Sequence, residues 1–182
     1  MKLYLYFYLA IAAIALTSCA SAENSPQSQT DAVRAAQSQQ VVTLDEKFKV
    51  VTGQTIYVPV YSYIYHDDRR QTFNLAATLS IRNTDLTNPI VIASVRYYDW
   101  NGKLVRQYLE RPIQLAALAS TDFFVDATDT SGGLGAKFIV EWVAQTEVSE
   151  PVIEAVMIGS GFHQGISFIS PGKVIKSVTS DQ

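Results

Sequence analysis

Phe73-Asn-Leu-Ala-Ala-Thr-Leu-Ser-Ile-Arg82 is the stretch that decides the fold. From residue 73 to residue 81 the odd positions are apolar, and the even positions are mostly polar or small. Successive side chains of a β-strand point to opposite faces, so this alternation is typical of a strand with one buried face. Sheets buried on one face only are commonly antiparallel, and the stretch therefore predicts an antiparallel sheet.

The next two strands are predicted on either side of a tight turn. Residues 90–98 and 103–109 flank Asp99-Trp100-Asn101-Gly102. Asn-Gly between two strand-like runs is the strongest short signal of a β-hairpin, because both residues accept the positive φ that the turn requires.

The remaining strands follow the same pattern and are predicted at Thr55–Val60, Thr121–Asp126, Lys137–Ala144 and Val152–Ile158. A last hairpin is predicted for Ile166–Ile169 and Lys173–Ile175. Its turn would be Ser170-Pro171-Gly172, in which proline presets one φ angle and glycine supplies a positive one.

Seven to eight short strands without strand–helix alternation predict an all-β fold, a single antiparallel β-sandwich of the immunoglobulin-like kind. The alternation also predicts which side chains face the core. We expect the following to be buried: Leu75, Leu79, Ile81, Val91, Val95, Val140 and Trp142. We expect Asn74, Thr78 and Arg82 to face outward or toward polar partners.

The first eighteen residues have the composition of a signal peptide. Lys2 provides a positive start, residues 3–16 form an apolar run, and small residues follow. A transmembrane helix needs about twenty apolar residues, so this shorter run indicates a cleaved signal. Leu16-Thr17-Ser18-Cys19 resembles the lipobox of bacterial lipoproteins, which implies cleavage before Cys19 and acylation of its thiol. Cys19 is the only cysteine and has no disulfide partner in the chain.

The segment after the anchor predicts a tether. Residues 19–46 carry Cys19 and a polar stretch that cannot bury enough apolar surface to order itself. The β-sandwich domain is predicted for 47–176 and a polar tail for 177–182. No aspartate follows Cys19, which by resemblance favours the outer membrane, facing the periplasm, over the inner membrane. An ordinary cleaved signal peptide is the alternative.

Four blocks in the domain form a pattern of their own: Tyr57–His66, Leu79–Asp85, Val140–Trp142 and Gly165–Phe168. Together they resemble an uncharacterised bacterial lipoprotein family, domain of unknown function 3124. The resemblance covers nearly all of the predicted domain. It implies a small exported or lipid-anchored protein without an assigned activity, and it implies no catalytic residues.

The usual catalytic and metal-binding patterns are absent from the sequence. The two histidines are His66 and His163, and the Gly-x-Ser-x-Gly turn of hydrolases does not occur. His66-Asp67-Asp68 and Asp126–Asp129 offer possible metal ligands, but the spacing matches no metal motif, and solvated turns explain both. Ser131–Gly135 precedes a strand and so predicts a glycine turn without phosphate-binding function. We expect no metal and no cofactor.

The charge of the chain argues against nucleic acid as a partner. Without Lys2 the mature chain carries 13 basic and 17 acidic residues, a net charge of −4. No basic cluster exceeds Arg69-Arg70, so the positive surface that dominates nucleic-acid binding is missing.

Tyrosines form the most unusual pattern in the domain. Tyr57, Tyr61, Tyr63 and Tyr65 share one parity and would point to one face of a regular strand. Either they cover a neighbouring element, or Tyr61, Tyr63 and Tyr65 form an exposed binding surface with His66 at its end. Pro59 cannot donate a ladder hydrogen bond and favours an edge position.

These observations predict a non-enzymatic binding or interaction module, held at a membrane by its lipid and binding an envelope protein or a glycan. The alternative is a periplasmic hydrolase, metal-assisted or serine-type, that uses His66 or His163 with Asp67 or Asp68. The two differ in whether those side chains converge in one pocket.

Overall fold

A computed structural model describes residues 39–66, 69–161 and 164–179. The predicted signal peptide at 1–18, the lipidated Cys19 and the tether as far as residue 38 lie outside the described residues. Asp67, Asp68, His163 and the last three residues of the tail lie outside them as well.

Thirteen strands make up the described chain, together with a 3₁₀ turn at Gly133–Gly135. The strands are β1 Gln39–Val41, β2 Thr52–Val60, β3 Tyr63–His66, β4 Gln71–Asn74, β5 Ala76–Arg82, β6 Ile90–Tyr98, β7 Leu104–Gln107, β8 Ile113–Leu115, β9 Ser120–Val125, β10 Ala136–Ala144, β11 Val152–Gly161, β12 Gln164–Pro171 and β13 Lys173–Thr179.

The strands form two large antiparallel sheets and a separate hairpin. The first sheet has the order β1-β8-β6-β10-β2-β13, with β7 added to β6, and the second has the order β12-β11-β5-β9. The hairpin consists of β3 and β4. β5 pairs with β9 and β11, and β6 pairs with β10, so each sheet joins strands that are distant in the chain. The predicted all-β, antiparallel sandwich is confirmed, with more strands than the seven to eight expected.

The core lies between the two sheets. One continuous apolar cluster contains side chains from both, including Val58 of β2, Leu79 of β5, Trp142 of β10 and Met157 of β11. All seven residues predicted to be buried are buried. Of those predicted to face outward, Arg82 forms an ion pair with Glu154 at 3.1 Å on the outer face of the second sheet.

The hairpin predicted for residues 166–175 is wrong. β12 pairs with β11 in the second sheet, whereas β13 pairs with β2 in the first. Gly172 donates its backbone N–H to the Ile153 carbonyl at 2.8 Å, and a Cβ at Gly172 would stand 2.6 Å from that oxygen. Glycine is needed there for close approach of two backbones, and its φ is not positive. The Pro-Gly pair is a corner between sheets.

Two boundaries also differ from the sequence prediction. The strand predicted from Phe73 is divided at Leu75 into β4 and β5, which belong to different sheets. Gln39–Val41, assigned to the tether, pairs with β8. A free sheet edge binds a strand through backbone groups, so the polar side chains of this segment gave no sign of it.

The sandwich has two distinct ends. The connections β1–β2, β5–β6, β8–β9 and β10–β11 lie at one end, which we call the proximal end because the chain enters the domain there. The hairpin β3–β4 and the connections β6–β7, β9–β10 and β11–β12 lie at the other, the distal end. Nine-residue strands such as β2 separate the two ends by about 30 Å.

Candidate functional site

The tyrosine segment begins where β2 ends, at the distal end. Ser62 interrupts the strand and is buried, with its hydroxyl 2.8 Å from the Tyr97 hydroxyl. Its backbone N–H donates to the Gly133 carbonyl at 3.0 Å. These two bonds attach the start of the β3–β4 hairpin to the sandwich, so the side chains on either side of Ser62 have a defined direction.

The tyrosines are unequally exposed. Tyr61 is 38% exposed and Tyr65 is 44% exposed, whereas Tyr63 is half-buried. Tyr63 and Tyr65 meet edge to face with ring centroids 6.0 Å apart, and Tyr61 meets Phe168 of β12 in the same way at 6.0 Å. Each ring is thus held by one neighbour and still offers a free side to solvent, which suits an aromatic contact surface.

The location of Pro59 explains how a proline is accommodated in a central strand. β2 lies between β10 and β13, but the pairing with β13 reaches only to Tyr57. Pro59 pairs with Lys137 of β10 and has no strand on its other side within the described chain. The proline therefore occupies a locally open edge.

His66 does not continue the tyrosine surface. It alternates with Tyr65 along β3 and pairs with Gln71 of β4, so the two side chains lie on opposite faces of the hairpin. His66 instead lines a groove of about 490 Å³ between the hairpin and the end of the second sheet. Thr72 and Asn74, the cross-strand partners of Tyr65 and Tyr63, line the same groove, so residues from both faces of the hairpin border it.

The groove combines neutral polar and apolar groups. Gln71, Asn74 and Ser160 contribute exposed amide and hydroxyl side chains, and Phe73 and Ile158 contribute apolar surface. A Cβ at Gly159 would stand 2.2 Å from the Phe73 ring, so glycine is what allows the ring to lie against β11. Such a lining is able to hold an uncharged ligand by a few hydrogen bonds and apolar contact.

Trp100 is a distal surface residue that the sequence reasoning left out. It is 62% exposed, at the tip of the β6–β7 hairpin, and its backbone N–H donates to the Gly132 carbonyl at 3.0 Å. Gly133 and Gly135 lie beneath it, where a Cβ would come within 3.7 and 3.2 Å of Trp100 atoms. A tryptophan inside an Asn-Gly turn was the available signal, because large apolar residues are unusual in exposed turns.

The acidic residues of the β9–β10 connection are occupied by local hydrogen bonds. Asp126 accepts from the backbone N–H of Thr128 at 2.8 Å, which holds its carboxyl pKa below the usual value, with help from the Thr128 hydroxyl. Asp129 accepts from Ser131 and pairs with Arg106 at 3.3 Å. No three His, Cys, Asp or Glu side chains in residues 39–66, 69–161 and 164–179 are placed to share a metal ion.

The block Leu79–Asp85 leads to a polar cluster at the proximal end. Asn83 donates from its amide nitrogen to the carbonyls of Asn88, Leu115 and Ala116 at 2.9, 3.3 and 3.0 Å. Asp85 accepts from the backbone N–H groups of Thr87, Asn88 and Ser149. Those bonds, that from Thr87 foremost, hold the pKa of Asp85 far below its usual value. The block thus links the β5–β6, β8–β9 and β10–β11 connections by hydrogen bonds, and its polar side chains have a structural role.

Of the residues proposed for a hydrolase, only His66 has a described position. Asp67, Asp68 and His163 lie outside the described residues. Where the chain is described, no helix is long and apolar enough to cross a membrane.

Comparison with known proteins shows a family and gives no function. No curated protein matches the chain. The crystal structure of Thermotoga maritima 1070 is similar at 11% identity and a TM-score of 0.43, over 66% of this chain and 92% of that one. The family model described as Protein of unknown function (DUF3124) matches residues 53–175. The match runs from β2 into β13 and includes all four sequence blocks, and the chain belongs to this family.

Proposed function

We propose that the protein is an exported lipoprotein, anchored in the outer membrane through Cys19, whose distal end binds an envelope protein or a glycan without catalysing a reaction. The observation that carries this proposal is the separation of the two ends. The chain enters the sandwich at Gln39 at the proximal end, and Tyr61, Tyr65 and Trp100 are exposed at the distal end.

A chain entry at one end of the domain and exposed aromatic residues at the other end suit a protein that is anchored through its N-terminal segment. A lipid on Cys19 would tie the chain to the membrane from the side of the proximal end, and strands of nine residues place the distal end about 30 Å from the point where the chain enters the domain. Two or three acyl chains anchor a protein stably. The exposed aromatic rings thus lie at the end of the domain opposite the attachment point, where the chain leaves them accessible.

The chemistry of the distal end supports recognition. Tyrosine and tryptophan offer large contact areas and freeze few rotamers on binding, and both retain a polar group for hydrogen bonding. The neighbouring groove is lined by uncharged amide and hydroxyl groups. The net charge of the mature chain does not favour nucleic acid.

The anchor is tested by labelling cells with palmitate. The wild-type protein should take up label and fractionate with the outer membrane, and Cys19→Ser should do neither. Ser21→Ala, two residues away, is the matched control and should be labelled normally. Palmitate on the Cys19→Ser protein would place the anchor elsewhere.

The binding surface is tested by affinity capture from detergent-solubilised envelopes with the full-length protein as bait. The double variant Tyr61→Ala/Tyr65→Ala should lose the captured partner and keep its melting temperature. Leu86→Ala, which removes an exposed apolar side chain at the proximal end, should capture normally. Equal loss in both variants, or early unfolding of the tyrosine variant, would contradict a distal binding surface.

A further inference from the structure

The groove between the β3–β4 hairpin and the second sheet contains polar side chains that make no bond within the fold. Five of them come from β3, β4 and β11: His66, Gln71, Thr72, Asn74 and Ser160. Within residues 39–66, 69–161 and 164–179, none of the five side chains has a hydrogen-bond or ion-pair partner. Five donor or acceptor groups on one concave surface are therefore available to a ligand.

Polar side chains elsewhere in the domain are used differently. At the proximal end the side chains of Asn83 and Asp85 are bonded to backbone groups of neighbouring connections. In the β9–β10 connection, which also borders the groove, the Thr128 hydroxyl donates to the Asp126 carboxylate. Those bonds stabilise turns and connections, whereas the five groups of the groove stabilise no turn.

Apolar groups line the groove beside the polar ones. Phe73 and Ile158 contribute the larger apolar surfaces, and Ile158 is 54% exposed. Ala76, Ala127 and Gly159 also line the groove, and their small size leaves room above the larger side chains. A ligand placed here would meet hydrogen-bonding groups and C–H surface at the same time.

The groove is also free of ionic side chains. No Lys, Arg, Asp or Glu lines it among the residues that the structure describes. A charged ligand would lose hydration on entry and gain no opposite charge, so the lining favours an uncharged ligand. A neutral sugar combines the required features, because its ring carries hydroxyl groups around the rim and C–H groups on both faces.

The dimensions fit a short stretch of sugar rings. The groove has a volume of about 490 Å³, within the range of about 300–1,000 Å³ that small-molecule sites occupy. β4, which runs along it, has four residues and is about 13 Å long, so that about two to three linked sugar rings match its length.

We propose that this groove binds a segment of a neutral glycan, with sugar hydroxyls bonded to the amides of Gln71 and Asn74 and ring faces packed on Phe73 and Ile158. An amide carries a donor and an acceptor side by side, as two neighbouring sugar hydroxyls require. Convergent side-chain groups favour such a ligand over an extended protein segment, which is recognised chiefly through backbone hydrogen bonds. The inference rests on the proposed function and assigns its glycan to the groove.

The test is a titration of the full-length, ¹⁵N-labelled protein in a detergent without a sugar headgroup. The probes are neutral trisaccharides of glucose, mannose, galactose and N-acetylglucosamine, with trigalacturonic acid as the acidic counterpart. We expect at least one neutral trisaccharide to bind with a Kd of about 0.1–1 mM and to shift the side-chain NH₂ signals of Gln71 and Asn74. Trigalacturonic acid should bind about tenfold more weakly or not at all, because its carboxylates find no counter-charge.

The double variant Gln71→Ala/Asn74→Ala should weaken binding of the neutral trisaccharide by about tenfold or more. Its melting temperature should equal that of the wild type, since neither side chain has a partner within the described chain. Asn101→Ala is the matched control, because it removes an exposed amide at the same end of the domain but outside the groove. It should bind the trisaccharide normally.

Three results would overturn the proposal: no binding of any neutral trisaccharide, equal binding of trigalacturonic acid, or binding that the groove variant leaves unchanged. So would a captured envelope protein that the groove variant alone fails to bind, since a protein would then occupy the groove.

These outcomes are distinct from failure of the proposed function. Loss of the captured partner in Tyr61→Ala/Tyr65→Ala, without any sugar binding, would keep the distal aromatic surface and refute the groove. Sugar binding that depends on Gln71 and Asn74, with no partner lost in the tyrosine variant, would keep the groove and refute the aromatic surface.

Discussion

A polar cluster at the proximal end and three aromatic residues at the distal end differ in how far their side chains are committed within the protein. At the proximal end the amide of Asn83 and the carboxylate of Asp85 are buried and committed to backbone groups of neighbouring connections. At the distal end Tyr61, Tyr65 and Trp100 leave part of each ring in solvent. Groups already bonded within the protein have little capacity left for a ligand, so the proximal cluster contributes to stability, and the exposed distal rings are the surface for which we propose recognition.

The comparison also shows how a sequence block is to be interpreted. Asn83-Thr84-Asp85 has the residue types of a polar binding site, yet its side chains hold connections together. Trp100 has the residue type of a core side chain, yet it lies on the surface. Residue type alone therefore does not separate a site from a scaffold in this domain, and hydrogen-bond partners and exposure do.

The largest expected effect separates the two tryptophans. Trp142 is buried in β10 toward the proximal end, and Trp142→Ala should lower the free energy of unfolding by about 3–5 kcal/mol. Trp100→Ala at the distal end should cost less than about 1 kcal/mol and should weaken partner capture instead. Thermal or urea unfolding measures the first and capture the second. Similar destabilisation by both would remove the contrast between the ends.

The second-largest loss of stability is expected on substitution of Asn83. Asn83→Ala leaves the carbonyls of Asn88, Leu115 and Ala116 without their donor and should destabilise the domain by roughly 2–4 kcal/mol. Asn101→Ala, in the exposed turn at the distal end, should change stability by about 0.5 kcal/mol or less. Urea unfolding of the two variants is the measurement. If Asn83→Ala lowered the free energy of unfolding by less than about 1 kcal/mol, the hydrogen bonds of Asn83 would not be what holds the proximal connections together.

Acid should weaken the proximal end first. The pKa of Asp85 is lowered in the folded state, so its carboxylate contributes stability above the ordinary pKa of about 3.9, and that contribution is lost as the pH falls below it. The melting temperature should therefore drop between about pH 5 and pH 2. Asp85→Asn should melt lower at neutral pH and show a smaller acid-induced drop. Asp126→Asn, at the distal end, should retain most of the wild-type drop.

The smallest expected effect concerns two tyrosine hydroxyls. Tyr97→Phe removes the buried partner of Ser62 and should cost about 1 kcal/mol, because the Ser62 hydroxyl loses its bond. Tyr65→Phe removes an exposed hydroxyl and should leave the melting temperature unchanged. A loss of stability in Tyr65→Phe would assign the distal tyrosines to packing.

Much of the sheet structure could be predicted because side-chain alternation is a local property of a strand. Ile90–Tyr98 was predicted with both boundaries correct, and the hairpin at Asn101-Gly102 is confirmed by the pairing of β6 with β7, with a positive φ at Gly102 and not at Asn101. The pairing of β12 and β13 with different sheets was not predictable in the same way. A Pro-Gly sequence suits a hairpin and a corner equally, and only contacts with Ile153 decide between them.

The candidate site, too, has features that the local sequence pattern predicts and features that depend on distant contacts. The sequence by itself determined that Tyr61, Tyr63 and Tyr65 share one parity, that Leu79 and Trp142 face the core, and that the domain is an antiparallel sandwich, because these follow from the two-residue period of a strand. Tertiary structure alone decided that His66 lines a groove beside the second sheet, that Trp100 lies at the distal end and that β12, within the described chain, pairs on one side only. Those features depend on which distant segments meet, and strand pairing is set by contacts between residues far apart in the chain.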